Sequence, residues 1–206
     1  RTAWVISYTP VAKEPRVLRQ AQALESDGWR VVVLGLSGKV ASPKAWHFIE
    51  LPDTSDRTSL GSLFKAVILM GLRVFGAGMA HYGSTSFLKY AGARIVHAYT
   101  PSYRVRERAI LDFLNNRPDY RPDLVLCHDY FTTGIAVNIA RMAKAKVSVD
   151  CHEYALGQYA HDPRWVRLHQ PVVRALQDDL YARVDGITTV CQGIADLIEK
   201  DHPVRR

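Results

Sequence analysis

Two stretches decide the fold: Asp123-Leu-Val-Leu-Cys-His-Asp129 and Lys146-Val-Ser-Val-Asp-Cys-His-Glu153. Each is a short apolar run closed by a Cys-His-acid tripeptide. Runs of this length, bounded by polar residues and rich in Val and Leu, read as strands buried on both faces, the pattern of parallel sheets. Imidazoles and carboxylates are too costly to bury unpaired. At the carboxyl ends of adjacent parallel strands they instead face the crevice where open α/β sheets bind ligands.

Working outward, Ala3-Trp-Val-Ile-Ser-Tyr8 reads as the first strand. Pro15 suits the first turn of a helix, and Val17, Leu18, Ala21 and Leu24 share one face of a helix over residues 16–27. Gly28 is placed as its left-handed cap. Arg30-Val-Val-Val-Leu-Gly-Leu36 is the second strand, which completes a right-handed βαβ unit. A third strand is expected over 46–51, a polar loop over 52–58, and helices over 59–80, 84–91 and 102–116. The fourth strand, 123–127, precedes a helix over 132–143. The fifth, 146–150, precedes one long helix over 163–183. The sixth, 186–190, is followed by a helix over 192–200. Alternating strands and helices predict an α/β fold, a doubly wound and mostly parallel sheet with helices on both faces.

The 206 residues suffice for one such domain over 1–201, and residues 202–206 read as the start of a linker. With 27 Lys or Arg against 20 Asp or Glu the net charge is +7, which predicts an anionic partner: nucleic acid, an anionic membrane surface or phosphorylated sugars. No zinc finger and no basic run of five or more is present, so nucleic acid is not expected. Arg outnumbers Lys 19 to 8, which suits phosphate or carboxylate recognition. Three cysteines without a CxxC spacing do not form a disulfide framework and point to a reducing, cytoplasmic setting. No signal-peptide pattern opens the chain.

Four motifs occur in order. They are Pro15-Arg-Val-x-Arg-x-Ala-x-x-Leu-x-x-x-Gly28-x-x-Val31, the pair His128-Asp129, the run Val149-Asp-x-His-Glu153, and Val184-Asp-Gly-Ile-Thr-Thr-Val-x-x-Gly-Ile-Ala195. Together they resemble the N-terminal domain of GT-B fold, family 4 glycosyltransferases. The resemblance implies a Rossmann-like, acceptor-side half of a retaining enzyme of polysaccharide biosynthesis. Such an enzyme moves a sugar from a nucleotide-sugar to a glycan or lipid-linked acceptor without a further cofactor or a metal. The donor would bind mainly in a second domain. The family's Glu-x7-Glu motif is not found: glutamates stand at 14, 25, 50, 107, 153 and 199. The chain alone is therefore expected to be inactive. The resemblance places His128 at the chemistry, with Asp129 as its orienter or as a helix cap.

Lys13, Arg16 and Arg19 replace the family's glycine-rich first loop as the positive charge for an acceptor or a phosphate, and His152, Glu153 and Tyr130 are candidate substrate contacts. A zinc site drawn from Cys127, His128, Cys151, His152 and Cys191 is disfavoured, because neighbouring strand residues point to opposite faces. Tyr99, Tyr103, Tyr130, Tyr154, Tyr159 and Trp165 flank the expected cleft and suit sugar stacking or plain packing. Residues 60–80 are apolar with Lys65 and Arg73 among them. They read as a core helix or as an in-plane helix on an anionic bilayer, with Arg94, Arg104, Arg106 and Arg108 adding charge. Two rival functions remain: a non-catalytic membrane- or partner-docking module, and half of a GT-B nucleotide-sugar epimerase.

Overall fold

Strand β1 (Thr2–Pro10) is the axis of a six-stranded, all-parallel sheet with strand order β3-β2-β1-β4-β5-β6. The other strands are β2 (Arg30–Leu36), β3 (His47–Leu51), β4 (Leu124–His128), β5 (Lys146–Cys151) and β6 (Gly186–Thr189). The structure is a computed structural model and describes residues 1–37, 46–53, 60–98 and 100–204. Ser59, Tyr99, most of the loop expected over 52–58 and the last two residues of the tail lie outside the described residues, as do the side chains of 60–69.

Two compact units divide the chain. The first (Arg1–Asp53, Arg106–His152 and Val184–Thr189) holds the whole sheet. Val31, Val32, Val33 and Leu34 are all buried, although consecutive strand residues point to opposite faces, so both faces of the sheet are covered. On one face Val5, Val31 and Val33 pack against Val11 and against Val17 and Ala21 of α1 (Pro15–Ser26). On the other, Trp4 meets the Phe113 ring of α4 (Pro101–Asn116) and donates its indole N–H to the Tyr120 carbonyl at 2.7 Å. Helix α5 (Tyr130–Ala143) packs on β4 and β5. Gly28 ends α1 with φ of 77°, a conformation that costs any other residue a Cβ clash.

The second unit (Thr54–Val105, Glu153–Arg183 and Val190–Arg206) is helical. It contains α2 (Leu60–Tyr82), α3 (Ser86–Ala98), α6 (Pro163–Leu168), α7 (Gln170–Tyr181) and α8 (Gln192–Asp201). The single helix expected over 163–183 is two. Pro171, in the first turn of α7, has no N–H to continue the ladder and restricts the residue before it, so the break falls at His169. Other elements extend past their expected bounds: α3 runs to Ala98, α5 starts at Tyr130, and β4 includes His128. Short 3-10 turns at Val11–Lys13 and Pro118–Tyr120 had no sequence signal that was read. His202 is buried and its Nδ1 lies 2.7 Å from Asp178 Oδ1.

Candidate functional site

The register of the sheet builds the site. His128 on β4 stands opposite Asp150 on β5, and Asp150 stands opposite Thr188 on β6, so the three form one row across adjacent strands. Asp150 is fully buried. Its Oδ1 accepts hydrogen bonds from Arg16 Nη2 at 2.5 Å and Thr188 Oγ1 at 2.8 Å, and its Oδ2 accepts one from Gln20 Nε2 at 2.9 Å. Arg16 and Gln20 are four residues apart on α1, which sets both on one helical face. His152 Nε2 lies 3.4 Å from Asp150 Oδ2 and 2.8 Å from Nδ1 of the buried His128, whose ring it meets edge-on.

Asp129 ties the loops together. It adopts φ of 62°, a left-handed conformation that costs an L-residue on the order of 1–3 kcal/mol and persists only where surrounding contacts fix it. Here its backbone N–H donates to the Asp150 carbonyl at 3.0 Å, and its Oδ1 accepts the His152 backbone N–H at 3.0 Å. The side chain does not cap α5, contrary to the cap reading of the sequence. The hydroxyls of Thr132 and Thr133 instead donate back to the strand-end carbonyls of His128 and Asp129, which ties the first turn of α5 to the end of β4. Asp129 Oδ2 and Glu14 Oε2 lie 3.9 and 4.0 Å from His152 Nδ1, so Asp129 acts on His152, while His152 and Asp150 flank the His128 ring.

The charges follow from these contacts. Burial pushes the Asp150 carboxyl up, but hydrogen bonds from His152 and Thr188 and the Arg16 charge outweigh it and hold the group at about 2. The hydrogen bond to Asp150 raises His152 above its ordinary value, with burial opposing and Asp129 assisting. Burial, then repulsion from His152, lowers His128 to about 4 against the pull of Asp150. Of the two imidazoles, His152 is thus the one that takes up a proton more readily. One ring donates to the other across the 2.8 Å contact between His128 Nδ1 and His152 Nε2; where His152 is the donor, His128 carries its proton on Nε2. His128 Nε2, Arg16 Nη1 and Gln20 Oε1 are buried and lack a hydrogen-bond partner among the described residues. Each such atom costs about 1–3 kcal/mol until a partner arrives.

Ligating atoms of His128, Asp150 and His152 lie within 4.8 Å of one another. The His128 Nδ1 lone pair is engaged by His152, and Asp150 already carries three donors, one of them a cationic guanidinium. This set is arranged for hydrogen bonding more than for a cation. The cluster includes no cysteine: Cys127 and Cys151 are buried thiols and Cys191 is exposed, with burial pushing Cys127 up to about 12.

The structure therefore brings together Arg16, His128, Asp129 and His152 of the residues singled out from the sequence. Arg16 does not share an outward face with Arg19, since it turns in to Asp150. Lys13 and Arg19 are exposed and have no ion-pair partner among the described residues. Tyr130 is half-buried with its ring edge-on to Phe131. Glu153 is exposed and opens the second unit. Of the other aromatic candidates, those among the described residues pack within that unit: Tyr103 on His97, Tyr159 on Trp165, and Tyr154 through its hydroxyl on Asp201. Asp150, Gln20, Thr188 and Glu14 were not read as site residues. The available signal was a carboxylate closing an apolar strand, which must find donors nearby.

No curated protein matches the chain in sequence. Among solved structures, it is similar to UGT89C1 of Arabidopsis thaliana complexed with UDP, at 12% identity and a TM-score of 0.52, covering 97% of this chain and 48% of that one. It is also similar to the same Arabidopsis protein complexed with UDP-L-rhamnose (12% identity, TM-score 0.51, 96% and 48% covered). A variant of Os79 from O. sativa in complex with UDP matches at 12% identity and a TM-score of 0.50, with 97% and 50% covered. At such identities the likeness establishes the fold alone, and the chain spans about half the length of these GT-B structures. The model of the glycosyl transferase 4-like domain matches residues 14–206. With nearly all of its length matched, the chain belongs to the glycosyl transferase 4-like domain family.

Proposed function

We propose that the chain is the acceptor-side half of a retaining glycosyltransferase that moves a sugar from a nucleotide-sugar to a glycan or lipid-linked acceptor. The observation that carries this reading is the neutral His128, buried at a strand end with an unpartnered Nε2 and held by His152 and Asp150. A neutral imidazole is suited to hydrogen-bond a sugar or acceptor hydroxyl, and burial together with the neighbouring His152 keeps it neutral against the pull of the ionised Asp150. Arg16 Nη1 and Gln20 Oε1 add a donor and an acceptor to the same network, a combination that suits a polyhydroxylated ligand.

In this reading the residues of the chain position and hydrogen-bond the reacting groups, and none acts as a nucleophile. A nucleotide-sugar donor agrees with the UDP and UDP-L-rhamnose complexes of the structural neighbours. It would be held mainly by a second domain, no resident cofactor takes part, and the chain alone turns nothing over.

The mass of the native polypeptide in its source cells tests this first. Structures twice as long as this chain predict a species of about double its size. In that polypeptide His128→Ala lowers kcat while KM for the donor changes little, because His128 acts on the transferred group and not on the nucleotide. Normal turnover by that variant removes His128 from the chemistry. Product formed from nucleotide-sugar alone, without acceptor, marks an epimerase instead.

A further inference from the structure

The net charge of +7 is concentrated in one part of the chain. Residues 57–104 contain Arg57, Lys65, Arg73, Lys89, Arg94 and Arg104 and no Asp or Glu, so this run carries +6 of it. The remainder of the chain is close to neutral. Residues 60–98 of that run hold Lys65, Arg73, Lys89 and Arg94 and form α2 and α3, two helices of the second unit packed through small residues; Arg57 lies outside the described residues and Arg104 on α4. A Cβ on Gly92 would lie 2.4 Å from the Gly76 carbonyl oxygen, and one on Gly76 would lie 2.8 Å from that of Gly92. Close backbone approach on that side leaves the large apolar side chains elsewhere.

They are turned to solvent. Met70 is 67% exposed, Val74 64%, Phe75 62%, Tyr82 86% and, in the first turn of α3, Phe87 77%. At 3.6 residues per turn, Met70, Val74, Phe75 and Tyr82 fall within about 140° of arc on α2, together with Gly71 and Gly78. A soluble surface seldom leaves so many large apolar groups together without something to cover them. Arg73 and Lys89 are exposed on the same two helices. Arg94 is engaged with Asp179, and Arg106 is buried over the Tyr8 ring, so the basic side chains read from the sequence as flanking charge do not all reach solvent.

We propose that the α2–α3 hairpin docks in the plane of an anionic lipid bilayer. Among the described residues no helix is long and apolar enough to cross a membrane, so the mode is insertion of an apolar arc to the depth of the headgroups. A bilayer fits better than a protein partner on two counts. Acidic residues are absent from the whole run, as a uniformly negative surface rewards, and the exposed aromatic groups include a Tyr at a helix end, the side chain favoured at the interface of membrane and water. This surface lies apart from the sugar-transfer reading and does not depend on it.

The test is co-sedimentation of the full chain with vesicles of phosphatidylcholine alone and of phosphatidylcholine mixed with phosphatidylglycerol. The expected result is binding to the mixed vesicles only, weakening as salt rises. Arg73→Gln and Lys89→Gln should each reduce the partition coefficient about fivefold. Phe87→Glu should abolish binding while far-UV circular dichroism stays unchanged. Equal binding to both vesicle types, no binding, or binding indifferent to Phe87→Glu overturns the proposal. Self-association at rising concentration without vesicle binding also overturns it and assigns the patch to a second copy of the chain.

Discussion

The two units treat mismatched chemistry in opposite ways. The sheet unit buries charge: Asp150 is fully enclosed, and its position is tolerable only because Arg16, Gln20 and Thr188 all donate to it. The helical unit exposes apolar surface on α2 and α3, forgoing roughly 25 cal/mol for each Å² left in water. The first arrangement makes stability depend on single residues. The second makes stability insensitive to the exposed side chains and leaves their effect to association. Substitutions in the two regions should therefore differ in kind as well as in size.

The largest effect is expected at Asp150. Asp150→Ala leaves the Arg16 guanidinium, a largely enclosed charge, without its carboxylate, and should cost about 3–5 kcal/mol in urea denaturation. The double variant Asp150→Ala with Arg16→Met should recover part of the loss, since no uncompensated charge remains. Without such recovery the cost would lie in packing and not in charge. A smaller loss, about 1–3 kcal/mol, is expected for Gly92→Val on the hairpin, where the new side chain meets backbone atoms of α2 that cannot rotate away. An unaltered denaturation midpoint for Gly92→Val would mean that the two helices are free to separate.

The same contrast explains what could be read from the chain. The strands were legible because burial on both faces leaves uninterrupted apolar runs; β2 was delimited residue for residue at 30–36. Gly28 was legible because a left-handed cap admits few other residues. The break at His169 was missed because the pattern over 163–183 continues across it, and only the steric demand of Pro171 interrupts the ladder. At the site, His128 and His152 stood out as imidazoles at strand ends. Asp150, Thr188 and Gln20 did not, because their importance lies in register: which residue of one strand faces which residue of the next is not written in either strand alone. Arg16 was visible as a cation near a helix start, but its partner is 134 residues away. On the hairpin, composition showed apolar and basic content, yet only the packing of Gly76 on Gly92 reveals which side faces out.

Acid should expose the histidine network next. His128 is held near 4 in the folded chain against about 6.5 unfolded, so the unfolded state binds its proton first and stability falls as pH drops from about 6.5 towards 4. Asp150 is held at about 2 against an ordinary 3.8, so its contribution is present above 3.8 and is lost between there and 2. His152 is raised, so its contribution is full below 6.5 and disappears as pH climbs through its folded value. Melting temperature should therefore peak near neutrality and decline on both sides. His128→Gln should flatten the decline between 6.5 and 4 and leave the alkaline side in place. An unchanged acid limb in that variant would assign the loss to other groups.

The smallest effect is the sharpest use of the comparison. Phe75→Ser and Phe87→Ser remove large side chains that contact mostly solvent, so each should alter unfolding free energy by less than about 0.5 kcal/mol. A loss of several kcal/mol would show that these rings are covered in solution and that the hairpin belongs to a core. Near-constant stability together with lost vesicle binding separates the two properties in the same molecule, because no core residue can lose its ring without loosening the fold. A surface whose rings matter to lipid and not to folding is one kept apolar for what it touches, just as Asp150 is kept charged for what holds it.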